Sequence, residues 1–411
     1  MRDRIDLSAP MPRFWEPRPS RFWQWLLTPL HRRYMKHHRV AEVDVAGMEK
    51  LARLDPRDGA LICPNHSYTG DGSVMLEAGR RAPRAFHTMA AWHVFRGHGG
   101  IDGWLLQRQG VFSVDREGCD RRAIRTAVEL LATGRFLVIF PEGEIYHLNE
   151  RLTPLREGVA FMAVTAQKDL DKAGSGARVW VVPTAIRYAF AHDVMPVVES
   201  QLARMEQRMM LKPRPGTPVH ERVICLGDVL LTIKEKEHVG RSLENEGDLP
   251  ARIARLAEHV LSRREQAHLG KTFADEPVPV RVKQLRRKLL EAACVEAESG
   301  ADGAATLLPE VRDALADVHL ALQLYSYKGD YVASKPSPER MAETVEKFEE
   351  DLYGVEATPC GWRHATVTFG EPIDVKPFLT GKSRTAATEL TARLERDLQH
   401  LMVVQTPDER R

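Results

Sequence analysis

Short apolar runs alternate with amphipathic stretches between residues 40 and 190. Runs of apolar, β-branched and aromatic residues predict strands at 59–63, 85–89, 111–114, 136–140 and 179–188. Residues 121–132 carry apolar side chains at helical spacing, and Gly134 can end that helix in a left-handed conformation. Strands that alternate with helices in this way predict an α/β fold.

The pattern of the chain changes after residue 194. Charged segments with apolar residues at helical spacing cover 197–210, 221–238 and 249–266, and a proline-rich stretch, 213–218, separates the first two. We therefore interpret residues 195–318 as a helical insertion that follows an α/β core at 40–194. We recognise no internal repeat in the sequence.

The last part of the chain, residues 319–411, is expected to return to the core. Residues 321–327 predict a strand, and Ser337 followed by Pro338 predicts a helix that ends before Gly354. A strand at 365–375 and a terminal helix at 385–402 would then complete the α/β core. The core is therefore predicted to be one domain interrupted by the insertion.

Charge is distributed unevenly along the chain. The 411 residues have a net charge of +2, but residues 1–39 hold nine arginines and lysines against three acidic residues. The same segment holds three of the seven tryptophans. Indole rings among cations suit the interface of an anionic membrane, so we interpret 1–39 as a basic aromatic membrane-contact segment. The alternative is that its aromatic residues pack on the protein itself or on a partner.

Other uses of the basic residues fit the sequence less well. The rest of the chain is mildly acidic, which disfavours nucleic acid as a partner. No run approaches the roughly twenty apolar residues that span a bilayer, and the first residues do not form a signal peptide. We expect a cytoplasmic protein associated peripherally with the inner face of the membrane. The basic stretch 281–289 predicts a solvated helix face or, alternatively, a second membrane contact.

The cysteines and most histidines show no metal-binding pattern. Five widely spaced cysteines are interpreted as reduced, buried residues of a cytosolic protein: Cys63, Cys119, Cys225, Cys294 and Cys360. Three histidines lack the cysteine or carboxylate framework of a zinc site: His87, His93 and His98. We therefore predict no metal centre.

The segment from Asn65 to Asp71 carries the clearest chemical signal. A carboxylate five positions after His66 can orient the imidazole and stabilise its protonated form. A predicted strand precedes His66 and a helix can begin near Gly70, so His66 would lie where α/β folds place their sites. His66 and Asp71 are a candidate catalytic dyad, and a loop hydrogen bond of His66 is the structural alternative.

Two further blocks follow the dyad. The predicted strand 111–114 is followed by Arg116, and the predicted strand 136–140 is followed by Pro141, Glu142 and Gly143. Taken singly, Arg116 could form a surface ion pair and Glu142 could cap a helix. Together with the dyad and the strand at 179–183, however, they resemble in order and spacing the four blocks of the glycerolipid acyltransferase family. The resemblance covers about residues 40–190.

The resemblance implies a role for each of these residues. His66 would be the general base that takes the proton of the acceptor hydroxyl, and Asp71 would orient it. The substrate would be bound by Asn65, Arg116, Glu142 and Gly143, with Arg116 on the phosphate of the acceptor. The family fold implies a central mixed sheet flanked by helices. The acyl donor would be acyl-CoA or acyl carrier protein, and no cofactor is expected.

The resemblance favours a 1-acyl-sn-glycerol-3-phosphate O-acyltransferase that forms phosphatidic acid from a lysophospholipid. After Gly143, however, the family usually continues with threonine and arginine, whereas this chain has Glu144 and Ile145. The added anion would repel a phosphate unless it points away or pairs with Arg116, Arg151 or Arg156. Two alternatives therefore stay open: O-acylation of a lipid or polyol without phosphate, and a catalytically idle lipid-binding protein. The motifs leave acyl-chain length, donor carrier and oligomeric state open.

Overall fold

The computed structural model describes residues 13–116, 120–213, 215–299 and 309–404. It contains two compact units, one formed by Pro12–Asp193 with Gly361–Arg411 and the other by Val194–Cys360. We call them the α/β unit and the helical unit. The first twelve residues of the predicted membrane-contact segment lie outside the described residues, and the domain limits read from the sequence stay a prediction.

Eight strands of the α/β unit form one mixed sheet. They are β1 (Val40–Ala46), β2 (Gly59–Pro64), β3 (Phe86–Ala91), β4 (Val111–Val114), β5 (Phe136–Val138), β6 (Val179–Phe190), β7 (Arg363–Phe369) and β8 (Ile373–Asp374). Their order is β1-β7-β6-β2-β5-β3-β4, with β8 paired to β6. Strand β6 is antiparallel to β7 and β8, and the other pairs are parallel. The predicted α/β fold with a mixed sheet is therefore confirmed.

Eight helices belong to the described part of this unit: α1 (Arg21–Leu26), α2 (Thr28–His37), α3 (Met48–Ala52), α4 (Asp71–Arg80), α5 (Ile101–Arg108), α6 (Arg121–Ala132), α7 (Glu157–Lys172) and α15 (Ser383–Val404). The central strand β2 shows why the sheet has two covered faces. Leu61 packs into a core with residues of α6, α7 and α15, whereas Ile62 packs into a second core with residues of α3 and α4. Successive side chains of a strand point to opposite faces, so an all-apolar strand requires cover on both.

The helical unit consists of α8 (Met195–Arg208), α9 (Val219–Val239), α10 (Leu249–Leu269), α11 (Val278–Ser299), α12 (Pro309–Ser326), α13 (Tyr331–Ser334) and α14 (Pro338–Tyr353). The prediction of a strand at 321–327 is wrong, because residues 309–326 form a helix. Ala314, Val318 and Ala321 recur at helical spacing and are buried in one apolar cluster. Residues 321–326 continue the helical periodicity of the preceding turns, which a short apolar and aromatic run does not show by itself.

The basic stretch 281–289 forms a helix with a solvated basic side, as one of its two interpretations predicted, but Arg281 and the apolar residues are buried. Val282, Leu285 and Leu289 are buried in the core of the helical unit, and the guanidinium of Arg281 is buried beside Glu265 at 2.8 Å. These three apolar residues are therefore not available for a membrane. Arg287 and Lys288, on the other side of the helix, are exposed.

An ion pair between a glutamate late in one helix and an arginine early in the next recurs three times in the helical unit. The pairs are Glu206–Arg222, Glu235–Arg252 and Glu265–Arg281. The last two glutamates also accept the backbone N–H of the loop that follows, from Leu243 at 2.9 Å and Phe273 at 3.0 Å. The sequences Lys234–Leu243 and Arg264–Phe273 are identical at three of ten positions and conservatively replaced at five more, so one helix–loop contact recurs with a similar sequence.

The described cysteines differ in their exposure. Cys63 and Cys360 are buried free thiols, as predicted, and burial raises the pKa of Cys63 above its usual range. Cys225 is a free thiol but is exposed, because it lies on the outward side of α9. The side chains of Cys119 and Cys294 lie outside the described residues.

Candidate active site

The loop that carries His66 leaves the carboxyl end of β2. This strand ends at Pro64, and α4 begins at Asp71. The strands on both sides of β2, β5 and β6, run parallel to it. Crevices at the carboxyl ends of parallel strands are where α/β folds bind their ligands, and His66 lies at such an edge, as its position after a predicted strand indicated.

His66 and Asp71 are in direct contact. Nδ1 of His66 lies 2.9 Å from Oδ2 of Asp71, and this oxygen also accepts the backbone N–H groups of Ser67 at 2.8 Å and Tyr68 at 2.9 Å. Asp71 is fully buried, whereas the His66 side chain is 17% exposed. As the first residue of α4, Asp71 also places its negative charge at the positive end of the helix dipole. The buried aspartate is thus fixed, and the imidazole that it holds is accessible.

Two aromatic residues complete the surroundings of the dyad. The hydroxyl of Tyr188, on β6, donates to Oδ1 of Asp71 at 2.5 Å. Burial and the neighbouring carboxylate raise the pKa of Tyr188 well above its usual range, so the hydroxyl keeps its proton. The ring of Phe140 stacks on the imidazole of His66 with centroids 4.1 Å apart. Both residues were missed as site residues in the sequence, where each looks like an ordinary strand residue.

Two asparagines bind β6 where its partner β2 has ended. The amide of Asn65 donates to the carbonyl of Ile186 at 3.0 Å and accepts its N–H at 2.7 Å. The amide of Asn149 makes the same pair of bonds with Tyr188, at 2.8 and 2.9 Å. These side chains replace the missing strand partner. Asn65 thereby anchors the His66 loop, and Asn149, which the sequence did not single out, anchors the loop after β5.

Glu142 is a buried carboxyl group that contacts the backbone of His66. Its Oε1 accepts the N–H of His66 at 2.7 Å, and its Oε2 accepts the N–H of Thr153 at 3.1 Å and bonds the Thr153 hydroxyl. Burial raises the pKa of Glu142 to about 7, against the opposing effect of these bonds. The partners lie in loops, so Glu142 does not cap a helix. It joins the loop after β5 to the loop of the dyad.

Gly143 is required by both backbone conformation and space. Its φ is +78°, and a Cβ at this position would lie 2.3 Å from Nε of Arg156. The carbonyl of Gly143 accepts a hydrogen bond from Nη1 of Arg116 at 2.8 Å. Arg116 thus bonds Gly143, and the adjacent Glu142 bonds the backbone of His66, so two hydrogen bonds connect Arg116 to the His66 loop.

Glu144, the residue that departs from the family pattern, lies between two guanidinium groups. Its carboxylate is 3.0 Å from Nη1 of Arg116 and 3.9 Å from Nη2 of Arg156. The side chain of Arg116 is 28% exposed and that of Glu144 is 14% exposed. The carboxylate thus pairs with two of the three arginines that the sequence offered. One of its partners is the arginine assigned by resemblance to the acceptor phosphate.

The amino-terminal aromatic residues divide into two groups. Trp15 packs on the α/β unit, where its ring stacks on Phe95 and its backbone N–H donates to Ser113 Oγ at 2.8 Å. On α1 and α2, by contrast, large apolar side chains are exposed to solvent, with Trp25 72% and Leu30 48% exposed. Among the described helices, none is long and apolar enough to cross a membrane.

Residues 42–187 match the protein-family model described as Acyltransferase. This range includes the dyad, Arg116, Glu142 and Gly143, and it lies within the α/β unit. A search of curated proteins found no match. The chain therefore contains an acyltransferase domain, which agrees with the resemblance of its sequence blocks to the glycerolipid acyltransferase family. An enzyme that uses an acyl donor and a lipid acceptor is what this family implies.

Proposed function

We propose that the protein transfers a fatty acyl chain from acyl-CoA or acyl carrier protein to the hydroxyl of a lysophospholipid. The acceptor would be 1-acylglycerol-3-phosphate and the product phosphatidic acid. The observation that carries this proposal is the accessible imidazole of His66 held at Nδ1 by the buried carboxylate of Asp71, within an acyltransferase domain.

The geometry supports a general-base mechanism. Because the Asp71 carboxylate only accepts hydrogen bonds, Nδ1 of His66 carries the proton and Nε2 of the neutral imidazole carries the lone pair. Nε2 takes the proton of the acceptor hydroxyl while the hydroxyl oxygen attacks the thioester carbonyl. The new C–O bond forms, the C–S bond breaks, and the proton passes from His66 to the leaving thiolate. Asp71 stabilises the intervening imidazolium.

The remaining residues of the candidate site would orient the reactants. Glu142 and Asn65 hold the His66 loop through its backbone and through β6, respectively, and Gly143 borders the acceptor pocket. Arg116 would bind the acceptor phosphate through its planar fork. These roles extend the family assignment to individual residues.

A second candidate is O-acylation of a lipid or polyol that lacks phosphate. The ion pair between Arg116 and Glu144 favours it, because a phosphate at Arg116 would have to share or displace a carboxylate at 3.0 Å. One negative charge beside two guanidinium groups still leaves this pocket a net positive charge from the three residues. An acceptor without phosphate would not compete with the Glu144 carboxylate for Arg116.

We further propose that α1 and α2 place the protein on the cytoplasmic face of a membrane. The exposed Trp25 and Leu30 belong to the same helical segment as two exposed cations of α2, Arg33 and Lys36. Exposed apolar side chains together with cations in one segment match the interface of anionic lipids. Contact of this kind would bring the acyltransferase domain to lipid acceptors without a spanning helix.

The test of the catalytic proposal is release of free thiol from palmitoyl-CoA or palmitoyl-acyl carrier protein. Lysophosphatidate and monoacylglycerol are supplied separately as acceptors to the purified protein and to His66→Ala. General-base assistance is worth about 10² to 10⁴ in rate, so His66→Ala should lose at least about a hundredfold. His400→Ala removes an exposed histidine of α15 and should keep full activity. His66→Ala activity within about threefold of the unmodified protein would refute the catalytic role. Lipid binding without turnover of any donor–acceptor pair would favour the idle lipid-binding alternative.

A further inference from the structure

The two oxygens of the Asp71 carboxylate have different partners. Oδ2 receives Nδ1 of His66 and two backbone N–H groups of the same loop, whereas Oδ1 receives the hydroxyl of Tyr188. The first three donors lie within five residues of Asp71 in the sequence. Tyr188 is 117 positions away and lies on β6, the strand that pairs with β2.

Tyr188 is itself held in place on both sides. Its backbone N–H and C=O are bonded by the amide of Asn149, and its ring meets the ring of Tyr68 edge to face with centroids 5.3 Å apart. The hydroxyl is therefore presented by a fixed strand residue rather than by a mobile loop side chain. A bond to Oδ1 opposes rotation of the carboxylate about its Cβ–Cγ bond, which would otherwise move Oδ2 away from His66.

We propose that Tyr188 is a positioning residue of the catalytic site, which acts on His66 through the Asp71 carboxylate. The proposal rests on the proposed function of His66 as the general base. By donating to Oδ1, the Tyr188 hydroxyl sets both the orientation of the carboxylate and the share of its negative charge that reaches the imidazole. Glycerolipid acyl transfer would thus depend on a third side chain from outside the His66 loop.

Two other charged side chains lie near the dyad and would remain if Tyr188 were replaced. Glu142 approaches the dyad through the backbone of His66, and Arg363 donates to the hydroxyl of Tyr68 at 3.2 Å. Neither replaces the Tyr188 hydroxyl at Oδ1. If Tyr188 is replaced by phenylalanine, the three N–H donors of Oδ2 still keep the carboxylate ionised. Its charge is then less neutralised, so it should stabilise the imidazolium of His66 more strongly.

The first experiment compares Tyr188→Phe with Tyr331→Phe. Tyr331 is a matched control, because it is a buried tyrosine of the helical unit whose hydroxyl donates to Glu343 at 2.8 Å. Tyr188→Phe should lower kcat about tenfold, the effect of one hydrogen bond to a charged group, with little change in the KM of the acyl donor. The acid limb of its kcat/KM profile should move to higher pH by about half a unit to one unit. Tyr331→Phe should change neither quantity.

A second measurement needs no turnover. Diethyl pyrocarbonate modifies neutral imidazole, and peptide mass spectrometry gives the extent of His66 modification at each pH. The midpoint of this titration should rise in Tyr188→Phe by the same amount as the acid limb. If the unmodified protein proves inactive, the proposed function fails while this titration still tests the contact of Tyr188 with the dyad.

A double-mutant cycle decides whether Tyr188 acts through Asp71. In an Asp71→Asn background, the further change Tyr188→Phe should lower kcat by less than about twofold, because the carboxylate on which it acts is gone. Equal losses in both backgrounds would show that the hydroxyl does not act through Asp71, which would overturn the proposal. An unchanged His66 titration midpoint in Tyr188→Phe would also overturn the proposal, whatever the activity of the protein.

Discussion

Replacing Glu142 with glutamine should change how the stability of the α/β unit depends on pH. Burial raises the pKa of this carboxyl group from an ordinary value of 4.5 to about 7. A raised pKa in the folded state means that the contribution of Glu142 to stability is fully present below pH about 4.5. It is lost as the pH rises through about 7, because the folded protein must then hold a buried carboxylate. Glutamine resembles the protonated carboxyl group in shape and does not titrate.

The size of the effect follows from the difference between the two pKa values. Each unit corresponds to about 1.4 kcal/mol, and the part of the difference that falls between pH 5 and pH 8 amounts to about 2 to 3 kcal/mol. As the pH rises from 5 to 8, the free energy of unfolding of Glu142→Gln should therefore increase by about 2 to 3 kcal/mol relative to that of the unmodified protein. For a unit of this size, the melting temperature of Glu142→Gln should rise by about 5–10 °C relative to that of the unmodified protein over the same pH range.

The assay is thermal unfolding of both proteins at pH 5, 6, 7 and 8, followed by circular dichroism. Glu389→Gln, which replaces an exposed glutamate of α15 in the same unit, provides the control and should show no such trend. The glutamine amide cannot accept from both His66 and Thr153, so a constant loss of stability at all pH values is expected in addition. A difference between Glu142→Gln and the unmodified protein that stays constant from pH 5 to pH 8 would refute the argument from burial.

Two further predictions concern the acceptor and the membrane. If lysophosphatidate is the acceptor, Arg116→Ala should raise the KM for lysophosphatidate at least about tenfold with little effect on the KM for the acyl donor. Arg116→Lys should recover only part of the lost affinity, and Glu144→Thr should lower the KM for lysophosphatidate. Unchanged lysophosphatidate kinetics in Arg116→Ala, with better turnover of monoacylglycerol by the unmodified enzyme, would contradict the phosphatidic acid assignment. Trp15 packs on the α/β unit, so point changes test the membrane contact better than deletion of residues 1–30. The double change Trp25→Ser with Leu30→Ser should weaken binding to anionic vesicles about tenfold or more. Met210→Ser, at an exposed apolar residue of the helical unit, should not weaken it. Equal flotation of all three proteins with vesicles would place the membrane contact elsewhere.

Local pattern was sufficient for most elements of the α/β unit. The helix at 121–132 and the strand at 111–114 have the predicted bounds, because their apolar periodicity and end signals lie within the segments themselves. Strand β1 and helix α7 were not recognised. Strand β1 has only two buried residues, Val40 and Val43, and it is held in the sheet by parallel pairing with β7, more than 300 positions later.

In the helical unit, one strand prediction was wrong and one recurring contact was not recognised. Residues 321–327 have the composition of a strand, but burial against α10 and α11 makes them the end of a helix. The recurring helix–loop contact, on the other hand, has a signal in the sequence. Glu235 and Glu265 are each followed by a glycine five positions later and by a large apolar residue three positions after that glycine.

By itself, the sequence indicated an acyltransferase domain and the pairing of His66 with Asp71, since both residues belong to the short segment between β2 and the first turn of α4. It also supplied Arg116, Glu142 and Gly143 as candidates through the order of the blocks. Only the tertiary structure decided that Glu142 holds the backbone of His66, that Glu144 pairs with Arg116, and that Tyr188 donates to Asp71. These contacts join residues far apart in the chain. They exist because β2, β5 and β6 end side by side at one edge of the sheet, and no local pattern specifies which strands become neighbours.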